Sequence, residues 1–145
     1  MNLNLVLKKN SNFLEDYKAK ILDISLSKQN QKKKINISMK YKIDDLINLL
    51  GEDFVKINKK KCWIIYEGKI KGIKTKMNIK KKSKYFIKVK LIILANLISL
   101  KGMFYKSNNL ISVKNLEGIN TRNIKDLSYL FAECTLIETL PDISN

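Results

Sequence analysis

The sequence INISMKYKI, residues 35–43, alternates between apolar and polar side chains over nine positions. Its odd-numbered residues are all apolar or aromatic, and its even-numbered residues are all polar. A period of two places these two sets on opposite sides of an extended chain. The stretch therefore predicts a β-strand with one side in the core and the other in solvent.

The residues that follow this strand predict a helix and then a hairpin. Asp44 and Asp45 offer an N-cap and a favourable charge at a helix start, and apolar residues continue at helical spacing, which predicts a helix over residues 45–58. The apolar run CWIIY, residues 62–66, predicts a buried strand. Glu67 and Gly68 predict a tight turn, and residues 69–79 predict the returning strand.

A last strand is predicted by the run YFIKVKL, residues 85–91, which alternates again. Tyr85 shares one side of this run with its aliphatic residues, so we expect its ring in the core. Phe86 shares the other side with Lys88 and Lys90, and we expect it to be exposed. With the preceding elements, the order β-α-β-β-β is predicted.

The remainder of the chain contains an internal repeat. Residues 97–118 align with residues 124–145 without a gap, and seven apolar positions recur. The recurring pairs are Leu97/Ile124, Leu100/Leu127, Met103/Leu130, Phe104/Phe131, Leu110/Ile137, Val113/Leu140 and Leu116/Ile143. A fixed period of about 20 to 30 residues is typical of leucine-rich solenoids, in which each unit buries its apolar side against the next.

The second unit, NIKDLSYLFAECTLIETLPDISN at residues 123–145, resembles the BspA-like leucine-rich repeat, whose units run approximately NVTDMSYMFYGCSSLTSLPDISNW. The first unit departs from this pattern, with Ile119 at the tryptophan position and Lys114 at the proline position. More loosely, residues 35–96 are similar to the module that precedes such repeats in some intracellular members from A/T-rich protists. The resemblance implies a non-catalytic protein-interaction scaffold.

The predicted fold is α+β, with a small β-α-β-β-β sheet module followed by the start of a leucine-rich repeat solenoid of about two 27-residue units. The predicted domains are a basic leader and linker at 1–34, the sheet module at 35–96, and a repeat segment at 97–145. Solenoids need about three units and a cap. We therefore expect either a truncated array or self-association through the uncapped last unit, unless the sheet module supplies most of the stability.

The polar residues beside the repeat's apolar frame are the candidates for a protein-binding surface. They are Ser112, Lys114, Glu117, Glu138, Thr139 and Asp142. The frame residues themselves are expected in the core, and they are Phe104, Phe131, Cys134, Leu140 and Ile143. The protein partner is not identified by any of these residues.

The net charge of +16 suggests a second kind of partner. The excess arises within residues 1–96, because residues 97–145 carry five basic and five acidic side chains. Arg122 is the single arginine, so nearly all basic residues are lysines, whose codons are A/T-rich. A bias toward A/T in the coding DNA would by itself produce a lysine-rich surface. The alternative is binding of nucleic acid or another anionic surface. Its candidate residues are Lys32, Lys33, Lys34, Lys59, Lys60, Lys61, Lys80, Lys81, Lys82 and Lys84.

Enzymatic chemistry is disfavoured by the composition. The chain contains no histidine, which removes the commonest general base and zinc ligand, and Cys62 and Cys134 lie far apart outside any metal-binding motif. We expect no catalytic site, cofactor or metal, and an intracellular protein with reduced thiols. The apolar run at 91–100 is too short to span a membrane. The expected compartment is the cytoplasm, with the nucleus as the alternative.

Overall fold

The computed structural model describes residues 34–80 and 85–143. Its elements follow the order β1, β2, α1, β3, β4, β5, β6 and β7, and two short 3₁₀ helices come after β7. Their bounds are Ile35–Lys42 (β1), Leu46–Asn48 (β2), Glu52–Asn58 (α1), Cys62–Tyr66 (β3), Lys69–Gly72 (β4), Lys76–Asn78 (β5), Phe86–Ile93 (β6), Leu110–Lys114 (β7), Leu116–Gly118 and Thr121–Asn123.

Five strands form one sheet in the order β4-β3-β6-β1-β7, and every neighbouring pair is antiparallel. The register of β1 and β6 runs from Ile35 opposite Ile93 to Lys42 opposite Phe86. The period-two pattern sets this arrangement, because it places the apolar side chains of both strands on the same side. The short strands β2 and β5 pair separately as a second antiparallel sheet.

The core lies on the inner side of the five-stranded sheet. Its fully buried side chains come from β1, β6 and α1 and also from the segment after β6, for example Tyr41, Leu91, Phe54, Leu100 and Phe104. The Tyr41 hydroxyl donates a 2.7 Å hydrogen bond to the Leu49 carbonyl, so its polar atom is satisfied inside the core. The predicted boundary after residue 96 thus falls between two strands of one sheet that share a core.

Two segments of the second half of the chain lie side by side. Residues 97–106 and 124–134 run parallel, with a bridge between Ser99 and Asp126. The Phe104 and Phe131 rings stack with their centroids 5.3 Å apart. The repeat spacing of the apolar positions therefore corresponds to the offset at which these two segments pack.

The predicted fold class is wrong, because the described residues form mainly antiparallel β-structure with one seven-residue helix and no evident solenoid. A solenoid would pair the strand of each unit in parallel with that of the next. Here β7, the strand of the first unit, instead pairs antiparallel with β1 and extends the sheet. The matching residues of the second unit, 137–141, form no strand.

Individual elements also differ from the sequence predictions. The predicted helix over 45–58 is a strand at its start and a helix only from Glu52, with Gly51 at its N-cap, because the first apolar residues pair with β5. The predicted returning strand over 69–79 divides into β4 and β5, which belong to different sheets. The strand at 35–43 and the turn at Glu67 and Gly68 are confirmed.

Two predicted core residues lie in solvent. Tyr85 is 94% exposed because β6 begins one residue later, at Phe86. Leu140 is 65% exposed because no strand forms around it in the described part of the second unit. Phe104 is fully buried as expected, whereas Phe131 and Cys134 are half-buried at the edge of the core, as is Ile143.

Candidate interaction surfaces

The two stacked segments repeat each other's backbone conformation. In the first, the amides of Met103 and Tyr105 donate to the carbonyls three residues earlier, and the amides at the equivalent positions of the second segment do the same. Gly102 has a φ of 59°, and its equivalent Tyr129 has a φ of 56°. The same agreement holds one turn later, because Lys106 and Glu133 both have a φ of 60°. The repeat is therefore a repeat of backbone geometry as well as of side chains.

Each segment also begins with the same side-chain turn. The Ser99 hydroxyl oxygen accepts from the amide two residues later, and the Asp126 carboxylate accepts in the same way from the amide of Ser128. The Ser128 hydroxyl also donates to Asp126, and the two hydrogen bonds from Ser128 lower the pKa of the Asp126 carboxyl group. Such turns fix the direction in which the following amides point.

One side of the first segment donates hydrogen bonds to the second. Four amides donate at 2.8–3.0 Å, each to one carbonyl: Leu100 to Asp126, Gly102 to Ser128, Phe104 to Leu130 and Lys106 to Ala132. Because the donors recur at every second residue, this side of the segment is a regular row of N–H groups. The acceptors belong to a segment of consecutive turns like those of the first segment, with turns over residues 128–133.

The opposite side of the first segment is covered by the sheet half of the molecule. The Gly51 amide donates a 3.0 Å hydrogen bond to the Met103 carbonyl, and the Asn58 side chain donates to the Ser99 carbonyl. The approach at Gly51 is close, because a Cβ atom there would lie 1.8 Å from the Gly102 carbonyl oxygen. A cleft of about 540 Å³ opens beside this contact, and a 3.4 Å ion pair between Lys101 and Asp53 crosses it.

The outer side of the second segment presents a matching row of donors that is open. The amides of Leu127, Tyr129, Phe131 and Glu133 occupy the positions equivalent to the donors of the first segment. No acceptor among residues 34–80 and 85–143 bonds to them. We call these four residues the donor edge. Two of its members, Leu127 and Tyr129, have exposed side chains.

A second surface is the outward side of the five-stranded sheet. Five lysines project from β1, β6 and β7 on this side, and we call them the basic face: Lys40, Lys42, Lys88, Lys90 and Lys114. Lys40 and Lys88 lie directly opposite each other across the strand pair. The Lys40 ammonium group lies 3.9 Å from the centroid of the Phe86 ring. Phe86 is exposed as predicted.

A basic groove of about 450 Å³ lies between the β3-β4 hairpin and β5. It is lined by five lysines and one acidic residue, Glu67. The lysines are Lys69, Lys71, Lys74, Lys76 and Lys80. Sequence reasoning selected only Lys80 from this set, because it relied on consecutive lysines, whereas the lysines of the groove come from two strands and the loops beside them.

The predicted protein-binding residues lie in three different parts of the chain. Ser112 and Lys114 lie on β7 opposite Lys40 and Ser38, so they belong with the outward side of the sheet. Glu117 lies in the first 3₁₀ helix. The remaining three are exposed in the last described stretch, and they are Glu138, Thr139 and Asp142.

The predicted anion-binding lysines lie at separate places in the described residues. Lys34 is exposed before β1, and Lys59 and Lys60 are exposed after α1 with Lys61 half-buried beside them. Lys80 lines the basic groove. The remaining members of the set lie outside the described residues, and they are Lys32, Lys33, Lys81, Lys82 and Lys84.

Neither cysteine has the environment of a nucleophile. Burial raises the pKa of the Cys62 thiol to about 12, and partial burial raises that of Cys134 to about 11. Both thiols are protonated at neutral pH, and the Cys134 thiol donates to the Phe104 carbonyl at 2.9 Å. In residues 34–80 and 85–143, no cluster of cysteine and carboxylate groups could hold a metal ion, and no helix is long and apolar enough to cross a membrane.

Comparison with known proteins adds no further constraint. No family model matches the chain, and no curated protein or solved structure matches it either. The resemblance to BspA-like repeats therefore stays a prediction from the residues. The geometry of the donor edge and of the basic face is the basis for assigning a role.

Proposed function

We propose that this chain is a non-catalytic protein-binding module that takes a polypeptide segment of a partner along the donor edge. The observation that carries the proposal is the row of four amides at Leu127, Tyr129, Phe131 and Glu133, which find no acceptor within the described residues. An equivalent row on the first segment is already satisfied by residues 126–132 of this same chain. Backbone pairing of this kind supplies affinity, and the side chains beside it supply specificity.

The chemistry of the occupant follows from the pairing inside the molecule. A segment that satisfies the donor edge must present carbonyl oxygens at every second residue, as residues 126–132 do toward the first segment. An aromatic residue in that segment could stack on the free side of Phe131, as Phe131 stacks on Phe104. Apolar residues on either side would cover Leu127 and Tyr129, which are 41% and 64% exposed.

A second copy of this chain is a poorer occupant. Docking about a twofold axis would set the donor edge of one copy against that of the other, so that N–H groups would face N–H groups. A head-to-tail arrangement would need the carbonyl side of the first segment. Gly51 and Asn58 already cover that side.

The test uses a peptide taken from the molecule's own pairing segment, residues 123–134 (NIKDLSYLFAEC), with serine in place of the cysteine. Titration into the ¹⁵N-labelled full chain should shift the amide resonances of Leu127, Tyr129, Phe131 and Glu133. It should also slow their hydrogen exchange. A peptide with the same composition in scrambled order is the control for nonspecific adhesion.

Two variants separate the donor edge from general hydrophobicity. The variant Leu127→Lys should weaken peptide binding by about tenfold or more, because it removes apolar contact area and puts charge on the edge. Ile57→Lys, a similar change at a 46% exposed position on α1, should bind the peptide as the parent does.

Three outcomes would overturn the proposal. The first is equal binding of the scrambled peptide, and the second is saturable binding that leaves the four amides unshifted. The third is protection of the same amides that grows with protein concentration when no peptide is present, since this would make a second copy the occupant.

A further inference from the structure

The outward side of the sheet has one sign of charge. The side chains that β1, β6 and β7 project on this side include the five lysines of the basic face and no acidic residue. No carboxylate in residues 34–80 and 85–143 forms an ion pair with these lysines. Within this part of the chain, five positive charges therefore lie on one side of the sheet without being neutralised.

The arrangement of these charges is regular. Across the strands, Lys90 and Lys114 lie on either side of Ser38, and Lys40 lies directly opposite Lys88. Along a strand, successive outward residues are about 7 Å apart, so the charges form a grid of two to three rows. Like charges directly opposite each other destabilise a strand pair, and a bound polyanion would remove this cost.

Aromatic and apolar groups lie on the same side as the lysines. Trp63 and Ile65 project outward from β3, and Ile65 lies directly opposite Lys90 of β6. Both are half-buried, and Phe86 is exposed at the far end of β6. The side thus combines a basic half on β1, β6 and β7 with an apolar half on β3 and β4.

We infer that the basic face binds single-stranded nucleic acid, with phosphates on the lysines and bases against the aromatic and apolar groups beside them. Unpaired bases can reach the aromatic and apolar groups of this side, whereas a duplex keeps its bases paired and stacked. A lysine ammonium group acts as a point charge, and no arginine supplies bidentate base contacts here. Binding should therefore be independent of base sequence and sensitive to salt.

The membrane surface is the less suitable ligand. Insertion into lipid needs protruding apolar side chains, and Trp63 and Ile65 are half-buried. The nucleic-acid proposal is independent of the proposed protein binding, because the basic face and the donor edge share no residue. Failure of one proposal therefore leaves the other unaffected.

The experiment measures the affinity for an oligonucleotide of about 12 thymidines at several salt concentrations. Anisotropy reports binding of a fluorescent form, and tryptophan emission reports binding of the unlabelled form. Trp63 is the chain's single tryptophan, so its quenching reports binding at this side of the sheet. Neutralisation of five phosphates predicts a log-log salt slope of about −3.5, or about a hundredfold loss of affinity between 50 and 200 mM salt.

Matched variants test whether the basic face is the site. Lys40→Gln/Lys88→Gln should reduce the slope to about −2.1 and the loss over the same salt range to about twentyfold. Lys59→Gln/Lys60→Gln removes the same charge from exposed lysines after α1 and should leave slope and quenching unchanged. Surface changes of this kind rarely unfold a protein, so both variants remain interpretable.

The inference would be overturned by equal loss of affinity in the two double variants, because that result would mean diffuse attraction to a basic protein. Anisotropy without quenching of Trp63 would place the ligand elsewhere and would also overturn it. So would binding to mixed phosphatidylcholine and phosphatidylserine vesicles at salt concentrations where the oligonucleotide has dissociated.

Discussion

At the scale of single residues, one close contact between the two halves of the chain depends on a glycine. Gly51 precedes α1, and its backbone lies against the Gly102 carbonyl so tightly that no side chain fits. Its φ of −71° is one that any residue adopts, so space and not conformation requires glycine here. The close approach lets the Gly51 amide reach the Met103 carbonyl.

The variant Gly51→Ala should lower the free energy of unfolding by about 2–3 kcal/mol, because the added methyl group would displace the backbone of residue 102. Urea unfolding at neutral pH measures this change. Gly72→Ala is the matched control, since nothing lies within 4 Å of a Cβ atom at that position. It should change the stability by less than about 0.5 kcal/mol. Equal effects of the two substitutions would contradict the steric argument.

At the scale of the elements, β1 joins two parts of the chain that are distant in sequence. It pairs with β6 on one edge and with β7 on the other, and so brings Lys88, Lys90 and Lys114 onto one side. This is possible because the alternation of β1 fixes only which side chains face the core. Its two hydrogen-bonding edges stay available for β6 and β7. The cost of the arrangement is the direct opposition of Lys40 and Lys88.

The variant Lys88→Glu should raise the stability by about 0.5–1 kcal/mol at low salt, because it converts a like-charged cross-strand pair into an opposite pair. The gain should fall as salt is added. In a Lys40→Gln background the same substitution should give little or no gain, and the double-mutant cycle isolates the pair. A gain of the same size in both backgrounds would mean that only the net charge matters.

At the scale of the whole molecule, the sheet and the stacked segments have a common core. Leu100 and Phe104 are fully buried, and they belong to the same cluster as Ile37 and Leu91. The composition step near residue 96 suggests two units, yet β7, which lies after this step, pairs with β1 and completes the sheet. We therefore expect the two regions to unfold together.

The variant Leu100→Ala should destabilise the protein by about 2–5 kcal/mol by leaving a cavity in this core. The emission of Trp63, which lies in β3, should report the same shift in the urea midpoint as far-ultraviolet circular dichroism. A Trp63 transition that stays at the parent midpoint while the dichroism shifts would mean that residues 35–96 unfold independently.

The basic face and the donor edge differ in how far the sequence predicts them. The exposed position of Phe86, Lys88 and Lys90 follows from alternation, because a strand has only two sides. The sequence does not predict that Lys114 joins that surface, because its position depends on the strand with which β7 pairs. The donor edge is signalled only by the internal repeat, since the direction of an amide is a property of the folded backbone.

By itself, the sequence determined the local structure in which a pattern repeats at short range: the strand at β1, the hairpin turn at Glu67 and Gly68, and the repeated packing positions of the two stacked segments. Tertiary structure alone decided that β7 pairs with β1 instead of with a second repeat strand, which replaced the expected solenoid by an antiparallel sheet. The physical reason is that a strand's alternation selects its buried side, whereas its hydrogen-bonding edges accept any partner that the rest of the core brings close.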